Sequence, residues 1–381
     1  MKVLVTGARL PAALEVARAL KKVGCELWFA DSVRFAPGAF SKCSSGYFQF
    51  PSPAFQFEKF QSRMKEFCER QKFDYIIPIS EEIFYLSAIQ SDLAGAKLFS
   101  PPLTILRKLH SKWQIQDMAQ DCNVKLPRTL RLCDRNDLFL ALKTFSNLVL
   151  KAEFSRGAFG TLFNPNPEEV SLIQPSEQNA WLAQEHISGR EVSTYSIAYE
   201  GRLLAHTAYL PKYRSGFGAS LYFDPIEFDS AHSFVASFVK KHHLSGQFAF
   251  DFIETKEKDL FLLECNPRTT SGVHLLTPES HWGKAFIGKI PNEQDSRKRP
   301  QAAKAGVLSL YAVKALRKHS IASLLSDLRK AQDTSFAMDD PLPFFVQILS
   351  GFEILLRSLS WKVSISRAYT YDLEWDGRSP K

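Results

Sequence analysis

The chain has 381 residues, 45% of them hydrophobic and 23% charged, with six cysteines and a formal net charge of +8. These values exclude a disordered or low-complexity chain and a small disulfide-stapled scaffold, and they allow two or three subdomains around sizeable cores. The positive charge is spread along the sequence without a Lys/Arg tract, which favours an anionic ligand such as a nucleotide over a nucleic-acid surface.

Cys25, Cys43, Cys68, Cys122, Cys133 and Cys265 form no CxxC pair. The first residues run straight into a strand, with no charged region ahead of an apolar one. Free thiols and a cytoplasmic location are therefore expected. The longest apolar stretch, Pro341 to Leu359, contains Gln347, Glu353 and Arg357. It predicts a core or partner-facing helix; the alternative is an interfacial helix, and no membrane span is expected.

In chain order, residues 2–31 read as β-α-β. Val3 to Val5 is a buried strand, Pro11 to Val23 a helix, and Leu27 to Ala30 a second strand ending at Asp31. This resembles a Rossmann start, but only Gly7 of a G-x-G-x-x-G is present. Helix Phe57 to Arg70 precedes strand Tyr75 to Ile79, which ends in Ser80-Glu81-Glu82. The carboxyl ends of parallel strands face the ligand crevice, so Glu81 is a candidate substrate contact. Alternatively, Ser80 and the two acids cap the next helix. Ser100-Pro101-Pro102 breaks the chain, and the following helices carry Lys108 and Lys112.

Leu148 to Lys151 reads as a strand ending in a lysine, followed by Ser155, Arg156, Gly157 and Gly160. Such a loop can offer amide N–H groups to a triphosphate while the lysine supplies a charge. Strand Trp181 to Gln184 runs into Glu185-His186-Ile187-Ser188-Gly189-Arg190-Glu191, and Val192 to Tyr199 then pairs with Arg202 to Tyr209. An ion pair of Glu191 with Arg190 or Arg202 is one expectation. The loop from Lys212 to Gly218 carries the cations Lys212 and Arg214, and either covers an acceptor site or is an ordinary exposed loop. After helix Ser230 to His242 comes a hairpin. Residues 306–313 read as a strand, with helices near 321–332 and 344–358.

The hairpin, Gly246 to Gly272, carries most of the chemistry. Phe248, Phe250 and Phe252 alternate with small or polar residues, and Leu260 to Leu263 forms the return strand. Folding it brings Asp251 beside Glu264, with Asn266 on the same face and Arg268 next to them. Two carboxylates and an amide oxygen suit Mg²⁺, with Mn²⁺ a possible substitute.

Asp251, Glu264 thirteen residues later, and Asn266-Pro267-Arg268 resemble the magnesium motif of the ATP-grasp superfamily, in its carboxylate–amine ligase and carbamoyl-phosphate synthetase large-subunit variants. The resemblance covers about residues 1–280. It implies a mixed α/β and α+β chain: a Rossmann-like pre-ATP-grasp domain over 1–100, a helical linker over 101–128, a two-lobed ATP-grasp domain over 129–290 with ATP between the lobes, and a C-terminal α+β extension over 300–381. It also implies roles. Lys112, after Ser111 where an acid is common, and Lys151 would meet the phosphates, with Ser155, Gly157 and Gly160 in a lid that closes over the nucleotide. Glu185 and Ile187 would line the adenine at the hinge, and Glu191 would accept from the ribose. Asp251 departs from a position that is Glu, Gln or Asp in relatives; each can ligate metal. Arg268 and Lys151 would act on the transferring phosphoryl group. The implied reaction passes the γ-phosphoryl group of ATP to a small-molecule carboxylate, after which an amine displaces phosphate. A homodimer is a possible assembly. Alternatives are a non-catalytic nucleotide-binding protein on the same fold, or an NAD(P)-dependent oxidoreductase using the first lobe.

Overall fold

The computed structural model describes residues 1–155, 160–214, 220–277, 281–291, 297–317 and 320–378, without the side chains of Val313 and Lys314. The first lobe is a parallel sheet built from β1 (Lys2–Thr6), β2 (Glu26–Asp31), β3 (Ser44–Gln49), β4 (Tyr75–Ile77) and β5 (Lys97–Leu98), in the order β3-β2-β1-β4-β5. Val3, Leu4 and Val5 are fully buried, as a central strand covered on both faces requires. Helix α1 (Pro11–Lys22) packs one face through Ala13, Val16, Ala17 and Leu20, while α2 (Phe57–Gln71) and α3 (Glu82–Ala88) supply Phe60, Met64, Phe67, Ile83 and Phe84 to the other. The strand order reverses between β1 and β4, where an open α/β sheet forms its crevice.

Two short helices, α4 (Leu103–His110) and α5 (Gln114–Ala119), follow, and Lys112 sits between them. The next four-stranded sheet has β6 (Thr129–Leu132), then α6 (Arg135–Thr144), β7 (Leu148–Ala152), β8 (Leu162–Phe163), α7 (Pro167–Ser171) and β9 (Trp181–Glu185), in the order β6-β9-β7-β8. Residues 186–189 then cross without regular structure to the largest sheet. That sheet is formed by β10 (Arg190–Tyr199), β11 (Arg202–Arg214), β12 (Ser220–Ile226), β13 (Gly246–Glu254) and β14 (Leu260–Asn266), with α8 (Asp229–Lys241) against it. Phe234 and Phe238 of α8 meet Phe250 of β13 edge to face, so one face of β13 is aromatic core and Asp251 turns to the other.

The sequence expectation fails at residues 306–313. They lie in helix α9 (Lys304–Arg317), between β15 (Gln301–Ala302) and α10 (Ile321–Lys330), with β16 (Gln332–Asp333) closing the sheet edge. Val307 and Ala315, with Tyr311 between them, pack on Leu324 and Leu328. That four-residue spacing outweighs the short β-branched look of the segment. Helix α11 (Leu342–Trp361) and the short α12 (Ile365–Ala368) return to the first lobe.

Candidate functional site

The site grows from the pairing of β13 with β14. Asp251 lies directly opposite Glu264, and the register shifts immediately after, between Asp251 and Phe252. On the other side Ser193 of β10 is the register partner of Asp251 and donates to its Oδ1 at 2.6 Å. Asn266 Nδ2 donates to both carboxylates, at 3.2 Å to Asp251 Oδ2 and 3.3 Å to Glu264 Oε1. Arg268 Nη2 donates to Asn266 Oδ1 at 3.1 Å. The three expected metal ligands therefore converge, and two carboxylate oxygens already aim at one donor atom.

Electrostatics sharpens this geometry. Burial pushes the Asp251 carboxyl up, and the neighbouring Glu264 charge pushes it further. Burial would raise Glu264 too, but Lys112 and Lys151 outweigh it and hold that carboxyl well below its usual range. A cation between the two acids relieves their repulsion, so the pair fits a divalent ion. Among the described residues no group of three or more His, Cys, Asp or Glu side chains could hold a metal. The two carboxylates fit Mg²⁺, which completes its shell from water and phosphate; Asn266 turns its Nδ2 to them and its Oδ1 to Arg268, and would join as a ligand with its amide turned over.

Two lysines face the acids from other elements. Lys112 Nζ lies 3.2 Å from Glu264 Oε2 and donates to the Ser155 carbonyl at 2.8 Å, joining the hairpin to the start of the glycine loop. Ser111, where an acid was the common expectation, caps Gln114 N at 3.0 Å and donates to Glu153 at 2.5 Å. Lys151 is held by Gln184 Oε1 at 2.9 Å across the β7–β9 pair. Burial lowers the Lys151 pKa to about 8, despite Glu264 nearby. If Lys151 meets nucleotide phosphate, as the sequence resemblance implies, ATP affinity falls as pH rises through about 8, where Lys151 loses its proton. Titration calorimetry across that range should show this limb in the native protein and not in Lys151→Met.

The remaining expected residues lie around this centre. Gly160 has φ +75° and is exposed; Arg156 and Gly157 fall outside the described residues, as do 215–219 of the second glycine-containing loop. Ile187 lies on the irregular crossing between the two sheets. Glu185 ends β9 at the start of the crossing, and its carboxylate accepts from Arg128 N at 3.0 Å. Glu191 pairs with Arg214, whereas Arg190 pairs with Glu254, so the expected partners Arg190 and Arg202 are both replaced. Lys212 is also engaged, at 2.5 Å from Asp327.

Glu81 is 1% exposed and does not open to the cleft as a substrate contact would. Its carboxylate accepts from Trp375 N at 3.0 Å and pairs with Arg268 at 3.5 Å. Glu82 accepts from Thr6 Oγ1 and from the amides of Ile79 and Ser80, which precede α3, while the N-cap position Glu81 makes no side-chain capping bond, so the expected cap is replaced by a tie between the end of β4 and β1. The crevice beyond β1 and β2 is filled. Arg9 bonds Asp31 at its own end and Asp372 of the C-terminal segment at 2.8 Å, all three fully buried. Trp375 stacks on Phe84 at 4.2 Å and meets Phe154 edge-on. Gly377, at φ +87°, rests on Phe154 so closely that a Cβ would lie 2.4 Å from the ring. These side chains occupy the ends of β1 and β2, and only Gly7 of a dinucleotide fingerprint is present there.

Sequence reasoning missed Ser193, Gln184 and Glu153. The strand register exposes the first two, because Ser193 faces Asp251 and Gln184 lies two residues from the partner of Lys151. Nothing local marks the C-terminal segment as part of the crevice.

The architecture is thus three sheets, with a lysine-flanked acidic hairpin beside the crossing from the four-stranded sheet to the largest one. No family model and no curated protein matches the sequence. Solved structures do. N5-carboxyaminoimidazole synthetase from Staphylococcus aureus is similar with a TM-score of 0.63 at 14% identity, over 83% of this chain and 86% of that one, and it has also been solved with ADP. The biotin carboxylase domain of Hydrogenobacter thermophilus 2-oxoglutarate carboxylase, in complex with MgADP and bicarbonate, gives 0.61 at 15% over 80% and 76%. L-amino acid ligase from Bacillus licheniformis gives 0.58 at 14% over 77% and 75%. The chain has the fold these proteins share, the ATP-grasp fold.

Proposed function

We propose that the chain is an ATP-dependent carboxylate–amine ligase that forms an amide and releases ADP and phosphate. The observation that carries this reading is the convergence of Asp251, Glu264, Asn266, Lys112, Lys151 and Arg268 from the hairpin, the linker and β7. Phosphoryl transfer needs positioned charge more than covalent catalysis, and this cluster consists of positioned charge. Asp251, Glu264 and Asn266 would hold Mg²⁺, which when bound neutralises phosphate charge. On that reading Lys112 exchanges its Glu264 partner for nucleotide phosphate, and Lys151 lies along the same phosphates. Arg268 steadies the terminal phosphoryl group or the substrate carboxylate. The acceptor is a small carboxylic acid and the nucleophile an amine; the neighbouring amino acid ligase supports that substrate class. Six free thiols suit the reducing cytoplasm in which the reading places the enzyme.

The deciding experiment screens amino acids and small carboxylic acids, in pairs with amines, for ADP and phosphate release. Formation of AMP and pyrophosphate would reject the mechanism. Nucleotide binding without turnover on any pair would favour a non-catalytic role. Within this reading Glu191, half-exposed and paired with Arg214, accepts from the ribose hydroxyls. Glu191→Ala is expected to weaken ATP about tenfold, the size of one charge-assisted hydrogen bond, and to erase the preference for ATP over its 2′,3′-dideoxy analogue. A variant that keeps that preference in calorimetry assigns the ribose elsewhere.

A further inference from the structure

Helix α11 is inverted for a water-facing element. Its polar side chains turn inward. Glu353 accepts from the amides of Arg34 and Phe35, Arg357 reaches Asp372 and Glu353, Ser358 donates to the Val363 carbonyl, and Ser350 is buried. Its outward face is Leu342, Phe345, Ile348, Leu349, Phe352, Leu355, Leu356 and Leu359, each 37–74% exposed, with no ionisable side chain among them. The feature needs an apolar neighbour, because patches of this extent are rare on monomers.

We propose that this face is the interface between two copies of the chain, with the two α11 helices crossing antiparallel about a two-fold axis at Gly351. Three observations select a second copy. Gly351 lies at the midpoint of α11, on the exposed side, and a Cβ there would meet nothing within 4 Å. Glycine inside a helix is unfavourable in isolation, whereas at a helix crossing it lets two backbones approach closely. At the ~150–250 Å² a large side chain can bury, eight half-exposed ones offer on the order of 800 Å², the share of each partner in a standard interface. The ends are complementary. Asp339, 77% exposed and bridged to Lys42 at 2.9 Å, lies just before the helix start and Lys362 just after its end, so an antiparallel mate sets each helix start, with its acid–base pair, against the other's Lys362 and opposes the helix dipoles favourably.

Sedimentation equilibrium on the full chain tests this. The native protein is expected at twice its chain mass, and the double variant Ile348→Lys/Phe352→Lys at one chain mass with unchanged far-ultraviolet circular dichroism. Gly351→Cys, oxidised with diamide, should give a covalent dimer, and Leu342→Cys should not, because antiparallel copies hold those positions apart. If the double variant misfolds, the cysteine pair decides. A monomeric native chain, a dimer that survives the double substitution, or equal cross-linking at 342 and 351 overturns the proposal. So does a monomer that floats with anionic phospholipid vesicles, which would assign the face to a lipid surface.

Discussion

Glu264→Gln is expected to lower turnover by on the order of 10³-fold, the cost of removing one focused charge from a transition state, while the fold stays intact. The Glu264 side chain is 27% exposed and faces the cleft, away from the phenylalanines on the far side of β13. Its replacement keeps size and removes charge. Three effects then act together. The metal pair loses one carboxylate, Lys112 loses its 3.2 Å partner, and the negative charge that raises the Lys151 pKa disappears. The reaction should stall at the chemical step with nucleotide still bound, because Lys112 and Lys151 remain. ³¹P NMR with a substrate pair that turns over measures ADP and phosphate directly. An unchanged rate would reject the metal site. A lost rate with unchanged circular dichroism supports it, and the control Glu177→Gln, far out on the surface with a 72% exposed side chain, should be silent.

Asp372→Ala is expected to destabilise the chain by about 3–5 kcal/mol, the range for removing one partner of a buried ion pair. Asp372 is fully buried between Arg9 and Arg357 and also takes the Ser32 hydroxyl. Its loss leaves the fully buried Arg9 guanidinium with Asp31 as its charged partner, beside the neutral acceptors Ser32 Oγ and the Tyr369 carbonyl. Burial would raise the Asp372 pKa, yet the two arginines and the hydrogen bonds overcome it and hold it low. The sign follows from linkage. A depressed carboxyl pKa contributes stability that is present above the unfolded value, about 3.9, and is lost as pH falls through the folded one. Urea melts at pH 7 should show the full difference between native and variant, and the gap should narrow in strong acid. A difference below 1 kcal/mol at pH 7 would mean that water reaches Arg9 and that the network is not dry.

The parts of the fold that could be read in advance are those written in short-range pattern. The Val3-Leu4-Val5 run, the alternating phenylalanines of β13 and the spacing of Asp251, Glu264 and Asn266 each follow from one or two periodicities. The site ligands were legible because a hairpin with a short polar turn has few registers. Ion-pair choice was not legible. Glu191 finds Arg214 instead of its sequence neighbour Arg190, because the strand pairing of β10 with β13 delivers Glu254 to Arg190 first. Residues 306–313 were misread because valine, leucine and tyrosine at four-residue spacing also suit a strand over so short a window. The surroundings of Glu81 were not legible for a different reason. Its partner, Trp375, lies 294 residues away, beyond any local pattern.

The Arg9–Asp372 pair spans 363 residues of sequence. A sheet encoded entirely by residues 2–98 therefore waits for residue 372 before its crevice is sealed. On the ribosome, this lobe precedes residue 372 and carries an Arg9–Asp31 pair open on its other side and an uncovered apolar slot at Phe84 until that residue is made. Long-range closure of this kind slows folding and lengthens the exposure of aggregation-prone surface. Chains released before residue 372 should accordingly be engaged by chaperones or cleared by proteases, although every strand of the first sheet is present in them.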